Sequence, residues 1–152
     1  MQYKHLKEGI APLCLRLIVG TGFIVHGWAK ISRGTTGFEK LLVQTGVPLP
    51  HISAIVTPYI ELLGGIAILL GAFVAVVAVP LVIVMIVAMF SIQVHYGFSS
   101  VNTIGLTDKG PLFGPPGYEI NLLYIACLIS LSLTGAGFLS VDKLIKSRKK
   151  AT

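Results

Sequence analysis

The sequence predicts an all-α integral membrane protein, an up-down four-helix bundle with both chain termini in the cytoplasm. Of its 152 residues, 54% are hydrophobic and only 12% are charged, and the mean hydropathy of +0.85 lies above the range of soluble domains. The apolar residues form long runs separated by Gly- and Pro-rich segments. Basic residues are concentrated outside those runs, which indicates membrane topology rather than nucleic-acid binding. We therefore expect one membrane domain, residues 1–152.

The first apolar run predicts a membrane helix over about residues 10–31. The basic stretch ahead of it is also found in secretory signal peptides. The run is too long for such a peptide, lacks a small-x-small cleavage site and contains Arg16. We interpret it as a retained helix.

The next apolar run, residues 52–94, contains Glu61 as its only charged residue. As one helix it would be about 64 Å long, roughly twice the ~30 Å thickness of the hydrocarbon core. The run must therefore fold back on itself. Gly71 is the expected break, giving helices over about residues 51–71 and 73–96.

The last apolar run predicts a fourth helix over about residues 118–136, followed by a basic tail at 143–152. An even number of spans places both termini on one side, and that side carries the larger share of basic residues. The positive-inside rule assigns it to the cytoplasm. The opposite connections, residues 34–50 and 97–117, are rich in Gly and Pro and are predicted to be loops.

Ionisable residues lie inside these apolar runs or close to their ends. They are Arg16, His26, Lys30, Glu61, His95 and Glu119. A charge at the bilayer centre costs about 3 kcal/mol even on lenient scales, so such residues normally face the protein interior, pair with one another and mark function. This polar set is the candidate site.

Arg16 and Glu61 are predicted to form a buried ion pair. Arg16 shares a stripe of the first helix with Gly20 and Gly27, which allow a second helix to approach closely. Glu61 shares a face of the second helix with Gly64. The pair either fixes helix register without chemistry or forms part of a proton or ligand site.

His26 and His95 are expected partners of a quinone carbonyl or of a proton, because an imidazole both donates and accepts near neutral pH. Lys30 and Glu119 are either ordinary interfacial charges or members of the same pocket. Neither histidine has a close His or Cys companion in sequence, so no metal site is expected.

Other redox and nucleotide sites are not expected either. Cys14 and Cys127 stand alone in separate runs, which argues against a disulfide relay. The Gly-rich segments lack the strand context of a dinucleotide fold, and no haem-type ligand pair lies deep in facing helices.

Short motifs along nearly the whole chain resemble one family. They are Leu15-Arg16-Leu17, His26-Gly27-x-x-Lys30, Gly37-Phe38, Gly46-x-Pro48, Glu61-Leu62-Leu63-Gly64-Gly65, His95-x-Gly97-Phe98, Gly117-Tyr118-Glu119, Leu133-Thr134-Gly135-Ala136-Gly137 and Ser140-x-Asp142. In this order they resemble the DoxX-like membrane proteins, which include the small subunit type of thiosulfate:quinone oxidoreductase. The resemblance implies a four-helix inner-membrane protein, an oxidoreductase component linked to quinone or to thiol and sulfur chemistry, sometimes within a larger complex.

The leading hypothesis is a membrane oxidoreductase component that binds a lipid quinone between helices near the outer leaflet. The pocket residues would be His26, Lys30, His95 and Glu119, and the Arg16–Glu61 pair would set the proton affinity of the site. One alternative is a non-catalytic anchor or scaffold subunit for a soluble redox enzyme, and another is a small transporter with Glu61 as its carrier. The expected partners are the bilayer and either a soluble redox enzyme or a second copy of the chain, but no nucleic acid.

Overall fold

The computed structural model describes residues 2–149, with side chains described for residues 9–148. This part of the chain contains six α-helices: α1 (Gln2–Ser32), α2 (Thr35–Gln44), α3 (Pro50–Leu70), α4 (Val74–Ser91), α5 (Glu119–Thr134) and α6 (Val141–Lys149). A 3-10 helix covers Gln93–Tyr96, and strands β1 (Thr103–Thr107) and β2 (Gly110–Phe113) form an antiparallel hairpin. The mainly helical fold class is confirmed.

Within residues 2–149, three helices are long and apolar enough to cross a membrane, namely Gly9–Ser32 of α1, the whole of α3 and the whole of α4. The predicted fourth span, α5, is apolar but has 16 residues. A helix of that length rises about 24 Å, less than the ~30 Å hydrocarbon core. The four-helix membrane bundle therefore stays a prediction.

The fold-back at Gly71 is confirmed. Gly71 has a φ of +66°, a left-handed conformation that ends α3, and α4 begins at Val74. The predicted third helix over 73–96 is shorter than expected, because its α-helical part ends at Ser91.

The segments predicted to lack regular structure contain some. The first connection holds α2, whose Phe38 and Leu42 pack with Ala54 of α3. The second connection holds the β1–β2 hairpin. Residues 143–149 of the basic tail, for which no element was predicted, belong to α6. These elements are short, and their Gly, Pro and charged residues obscure any long apolar period.

α1 and α3 pack antiparallel at close range because glycines lie where they cross. A Cβ atom added to Gly27 would lie 2.6 Å from the carbonyl oxygen of Pro58. One added to Gly65 would lie 2.7 Å from the amide nitrogen of Ile24. Both distances are below van der Waals contact, so only glycine allows the two backbones to approach this closely.

Backbone hydrogen bonds connect the ends of neighbouring helices at both ends of the protein. At one level, which we call the terminal end, Phe138 N–H donates to Gly9 O (3.2 Å) and Asp142 N–H donates to Gly71 O (3.0 Å). At the other, the loop end, Tyr118 N–H donates to Gly97 O (3.0 Å). α1 and α4 thus run from the terminal end to the loop end, and α3 and α5 run back. The buried residues between them include Val19, Phe23, Ile68, Leu81, Leu128 and Leu131.

The predicted Arg16–Glu61 ion pair is wrong. Arg16 is 1% exposed, and its five N–H groups donate to five backbone carbonyls at the terminal end. The acceptors are Ile68 O (3.2 Å), Leu69 O (2.9 Å), Ala136 O (2.7 Å), Phe138 O (2.8 Å) and Leu139 O (3.0 Å). They lie in the last turn of α3, where Ile68 O also accepts from the N–H of Gly71 (3.0 Å), and in the link from α5 to α6.

Side-chain direction explains why the pair does not form. In an α-helix each Cα–Cβ bond tilts toward the N-terminus of the helix. The side chain of Arg16 on α1 therefore leans toward the terminal end. Glu61 lies on antiparallel α3, so its side chain leans toward the loop end, away from Arg16.

We predict that Gly65→Ala lowers the stability of the protein by about 1–3 kcal/mol, because the new methyl group meets the backbone of α1 rather than a flexible side chain. Gly37→Ala is the matched control, since a Cβ atom at Gly37 meets nothing within 4 Å. Thermal unfolding of both variants in detergent micelles measures the difference. Equal midpoints would contradict the close packing of α1 on α3.

We further predict that Arg16→Lys lowers the unfolding free energy by about 2–4 kcal/mol. An ammonium group has three N–H donors for the five carbonyls, and each buried acceptor left unpaired costs about 1–3 kcal/mol. Arg33→Lys, at an exposed position just after α1, is the control and should stay within about 0.5 kcal/mol of wild type. An Arg16→Lys protein as stable as the control would show that the five hydrogen bonds contribute little.

Candidate functional site

Glu61 pairs with Lys30 at the loop end of the α1–α3 contact. Lys30 Nζ donates to Glu61 Oε2. The carboxylate side chain is 2% exposed, whereas that of Lys30 is 27% exposed. The close approach at Gly27, three residues before Lys30, brings the last turn of α1 within reach of the middle of α3. This contact joins two of the sequence motifs that the family resemblance was based on.

The ion pair lies beneath the first connection. Lys30 Nζ is 5.1 Å from the centre of the Phe38 ring, which belongs to α2. This cation–π contact places an apolar cover next to the ammonium group. α2 therefore limits access to the pair without burying Lys30 completely. The carboxylate is therefore buried, whereas its cationic partner remains partly accessible from the surface.

His26 lies one helical turn before Lys30 and is exposed. Its ring centre is 6.5 Å from that of Tyr124 on α5, and Tyr124 packs edge-on against Phe23 at 5.2 Å. The sequence reasoning missed Tyr124. The available signal was a phenol inside an apolar run, since a buried hydroxyl normally requires a polar neighbour.

Asn121 was also missed. It is 1% exposed on the first turn of α5, and its Nδ2 donates to the carbonyl oxygen of Met85 on α4 (3.3 Å). Its Oδ1 and the Oε1 of Gln93 are buried and have no hydrogen-bond partner among residues 9–148. An unpaired buried acceptor is uncommon and requires an explanation such as a bound donor. Asn121 and Tyr124, three residues apart, share one side of α5.

His95 and Glu119 lie at the loop end but outside the ion pair. His95 is exposed in the 3-10 helix. Glu119 Oε2 accepts hydrogen bonds from the amide N–H (2.8 Å) and the hydroxyl group (2.7 Å) of Ser100. These two hydrogen bonds link the second connection, residues 97–117, to the start of α5. Arg16 is at the opposite end of the protein.

Metal-ligating side chains are dispersed through the described residues, and no group of three or more His, Cys, Asp or Glu side chains there could hold a metal ion. Cys14 is exposed and Cys127 is half-buried, and both are free thiols. The polar arrangement at the loop end can move protons and hydrogen-bond an oxygen-bearing ligand.

Comparison with known proteins identifies the family. The DoxX family profile matches residues 11–94, which include both members of the Lys30–Glu61 pair. The chain is 30% identical over 141 residues to a protein of Bacillus subtilis named "Putative oxidoreductase CatD", covering 93% of this chain and 91% of that protein.

Two uncharacterized proteins of Haemophilus influenzae are also similar. One is 27% identical over 145 residues, covering 93% of this chain and 87% of the relative. The other is 30% identical over 130 residues, covering 84% and 85%. No solved structure matches. With a family match over more than half of its length and a relative aligned over nearly all of it, the chain belongs to the DoxX family.

Proposed function

We propose that this protein is a multi-pass inner-membrane component of an oxidoreductase, and that it binds a lipid quinone at the loop end and supplies protons to it. The buried carboxylate of Glu61, paired with the half-exposed Lys30, carries the proposal. The name of the Bacillus relative, an oxidoreductase, supports the reaction class. α5 serves as the fourth span, and the basic terminal end faces the cytoplasm.

Polar side chains lie at successive helical turns between the ion pair and the α1–α5 boundary. Lys30 and His26 occupy successive turns of one side of α1. His26 contacts the ring of Tyr124, and Asn121 lies one turn away on α5. A ligand that enters between α1 and α5 from the lipid would meet an imidazole, a phenol and an amide.

The hydrogen-bonding capacity of this path fits a quinone. The ring nitrogens of His26 and the hydroxyl group of Tyr124 can donate to a quinone carbonyl. The unpaired oxygens of Asn121 and Gln93 can accept from the hydroxyl groups of a quinol. The same set of residues therefore matches the polar groups of both redox forms.

The proposed role of the Lys30–Glu61 pair is to supply protons for quinone reduction. Reduction of a quinone to a quinol takes up two electrons and two protons. The electrons come from a soluble redox enzyme or from a reduced sulfur compound, and the protons enter through Lys30. Transfer of a proton from the Lys30 ammonium group to Glu61 leaves both groups neutral, which is tolerated in apolar surroundings. Glu61 thus holds a proton beside the path without leaving a charge unpaired.

We predict that Glu61→Gln leaves the protein folded in the membrane but lowers the quinone that co-purifies with it, because the amide cannot take up or release a proton. The measurement is mass-spectrometric quantitation of quinone in native lipid particles at matched lipid content. Glu39→Gln, at a carboxylate on α2 that contacts the exposed ring of His51, is the control. Wild-type quinone levels no higher than those of bulk lipid would contradict the proposal and favour a scaffold role.

A double-variant cycle separates structure from chemistry at the same pair. Lys30→Met or Glu61→Leu alone leaves one charge without its partner and is expected to lower stability by about 2–4 kcal/mol, whereas the double variant should be milder than either. Quinone-linked activity should be absent from all three proteins. Recovery of activity together with stability in the double variant would assign the pair a purely structural role.

A further inference from the structure

The terminal end carries a second feature that the redox proposal does not use. On α6, Val141, Leu144 and Ile145 lie on one side together with Arg148, and Lys143 and Lys146 lie on the opposite side. Helices of this kind lie in the plane of a membrane surface, with their apolar side in the boundary between headgroups and acyl chains.

α6 is fixed in position by Asp142. The carboxylate accepts hydrogen bonds from the amide N–H groups of Phe73 (2.7 Å) and Val74 (3.1 Å), which are unpaired donors at the start of α4. The amide N–H of Asp142 donates to Gly71 O (3.0 Å). α6 therefore starts at the level where α3 ends and α4 begins, which is the membrane boundary of two spanning helices.

Large apolar side chains are exposed at this level. Leu139 is 84% exposed, Leu144 is 63% exposed and Phe73 is 63% exposed. All three lie close to the turn between two helices that are apolar enough to span a bilayer. Acyl chains of the surrounding leaflet cover such side chains without any protein partner.

Between α6 and the link from α5 lies an open cleft of about 470 Å³. Its polar lining includes Thr134, Ser140, Asp142, Lys143 and Lys146. The hydroxyl groups of Thr134 and Ser140 donate to backbone carbonyls, and both oxygens of Asp142 accept from the start of α4. With the carboxylate of Asp142, the two lysines give the lining of the cleft a net charge of +1.

The position of Lys143 is also constrained. Its Nζ lies 4.2 Å from the centre of the Phe138 ring, in cation–π contact. Phe138 is in turn held by its carbonyl bond to Arg16 and its amide bond to Gly9. The contact thus keeps the ammonium group beside a ring that also lines the cleft.

We propose that this cleft is a binding site for the phosphate headgroup of an anionic phospholipid from the leaflet at the terminal end. Lys143 and Lys146 contact the phosphate, and the acyl chains of the same lipid lie along Leu139 and Leu144. Charge complementarity and continuity with the bilayer both favour this occupant. The binding is independent of quinone chemistry.

The test uses the full-length protein, purified in detergent with phosphatidylglycerol and phosphatidylcholine at equal concentration and examined by native mass spectrometry. A lysine at an anionic membrane surface contributes about a 5-fold gain in binding, so Lys143→Gln with Lys146→Gln should lower retained phosphatidylglycerol about 25-fold. Retained phosphatidylcholine should not change.

The matched control is Lys40→Gln with Lys109→Gln, which removes the same charge from exposed positions at the loop end and should leave phosphatidylglycerol retention at the wild-type level. Unchanged retention in the Lys143/Lys146 variant, or an equal loss in the control, would overturn the proposal. Displacement of the lipid by millimolar inorganic phosphate would also overturn it, because the site would then recognise phosphate alone.

Discussion

The structure depends on one constraint: a polar group inside a bilayer has no water to bond to and must find its partner in the protein. The last carbonyls of α3 and those of the link from α5 to α6 lie close together, and both need hydrogen-bond donors from the protein. Arg16 meets it with a single planar group whose five donors match five acceptors. Because those acceptors belong to two separate segments, the same side chain joins α1, the end of α3 and the entry to α6. The hydrogen bond from Arg16 holds the carbonyl of Phe138, and the Phe138 ring in turn contacts Lys143.

The two ends of the protein differ in how completely their polar groups are paired. At the terminal end Arg16, Asp142 and Ser140 have all found partners. At the loop end two buried amide oxygens are unpaired within the described residues, and the cation of the ion pair is partly accessible. Unsatisfied groups persist in native proteins chiefly where function requires them. This contrast is the reason we propose the redox chemistry at the loop end.

Most of the helices could be predicted from the sequence, because an apolar run about twice the bilayer thickness must fold back and a glycine is where it does so. The family could be predicted for a related reason, since several of its motif residues, among them Arg16, Gly27 and Gly65, make the close contacts of this packing. The Lys30–Glu61 ion pair could not be predicted from the sequence. Helical periodicity assigns Arg16 and Glu61 to facing stripes, but it does not give the direction in which each side chain leans, nor the helix-end carbonyls that compete for a guanidinium. Asn121 and Tyr124 were not predicted as site residues, because the sequence does not show which residue of a neighbouring helix an isolated polar residue contacts.

The presence of Arg16 also bears on what the Lys30–Glu61 pair is for. A buried pair can serve to fix the register of two helices, and that was the alternative to a chemical role. Here the register of α1 against α3 is already set by Arg16 at one end and by the glycine contacts at Gly27 and Gly65 along the interface. Lys30 lies 14 residues, about 21 Å, further along α1. A second register device at that distance would be redundant, and it would leave a carboxylate buried without need. A register role would thus duplicate contacts that are already present, which is the reason we propose a proton-holding role for the pair.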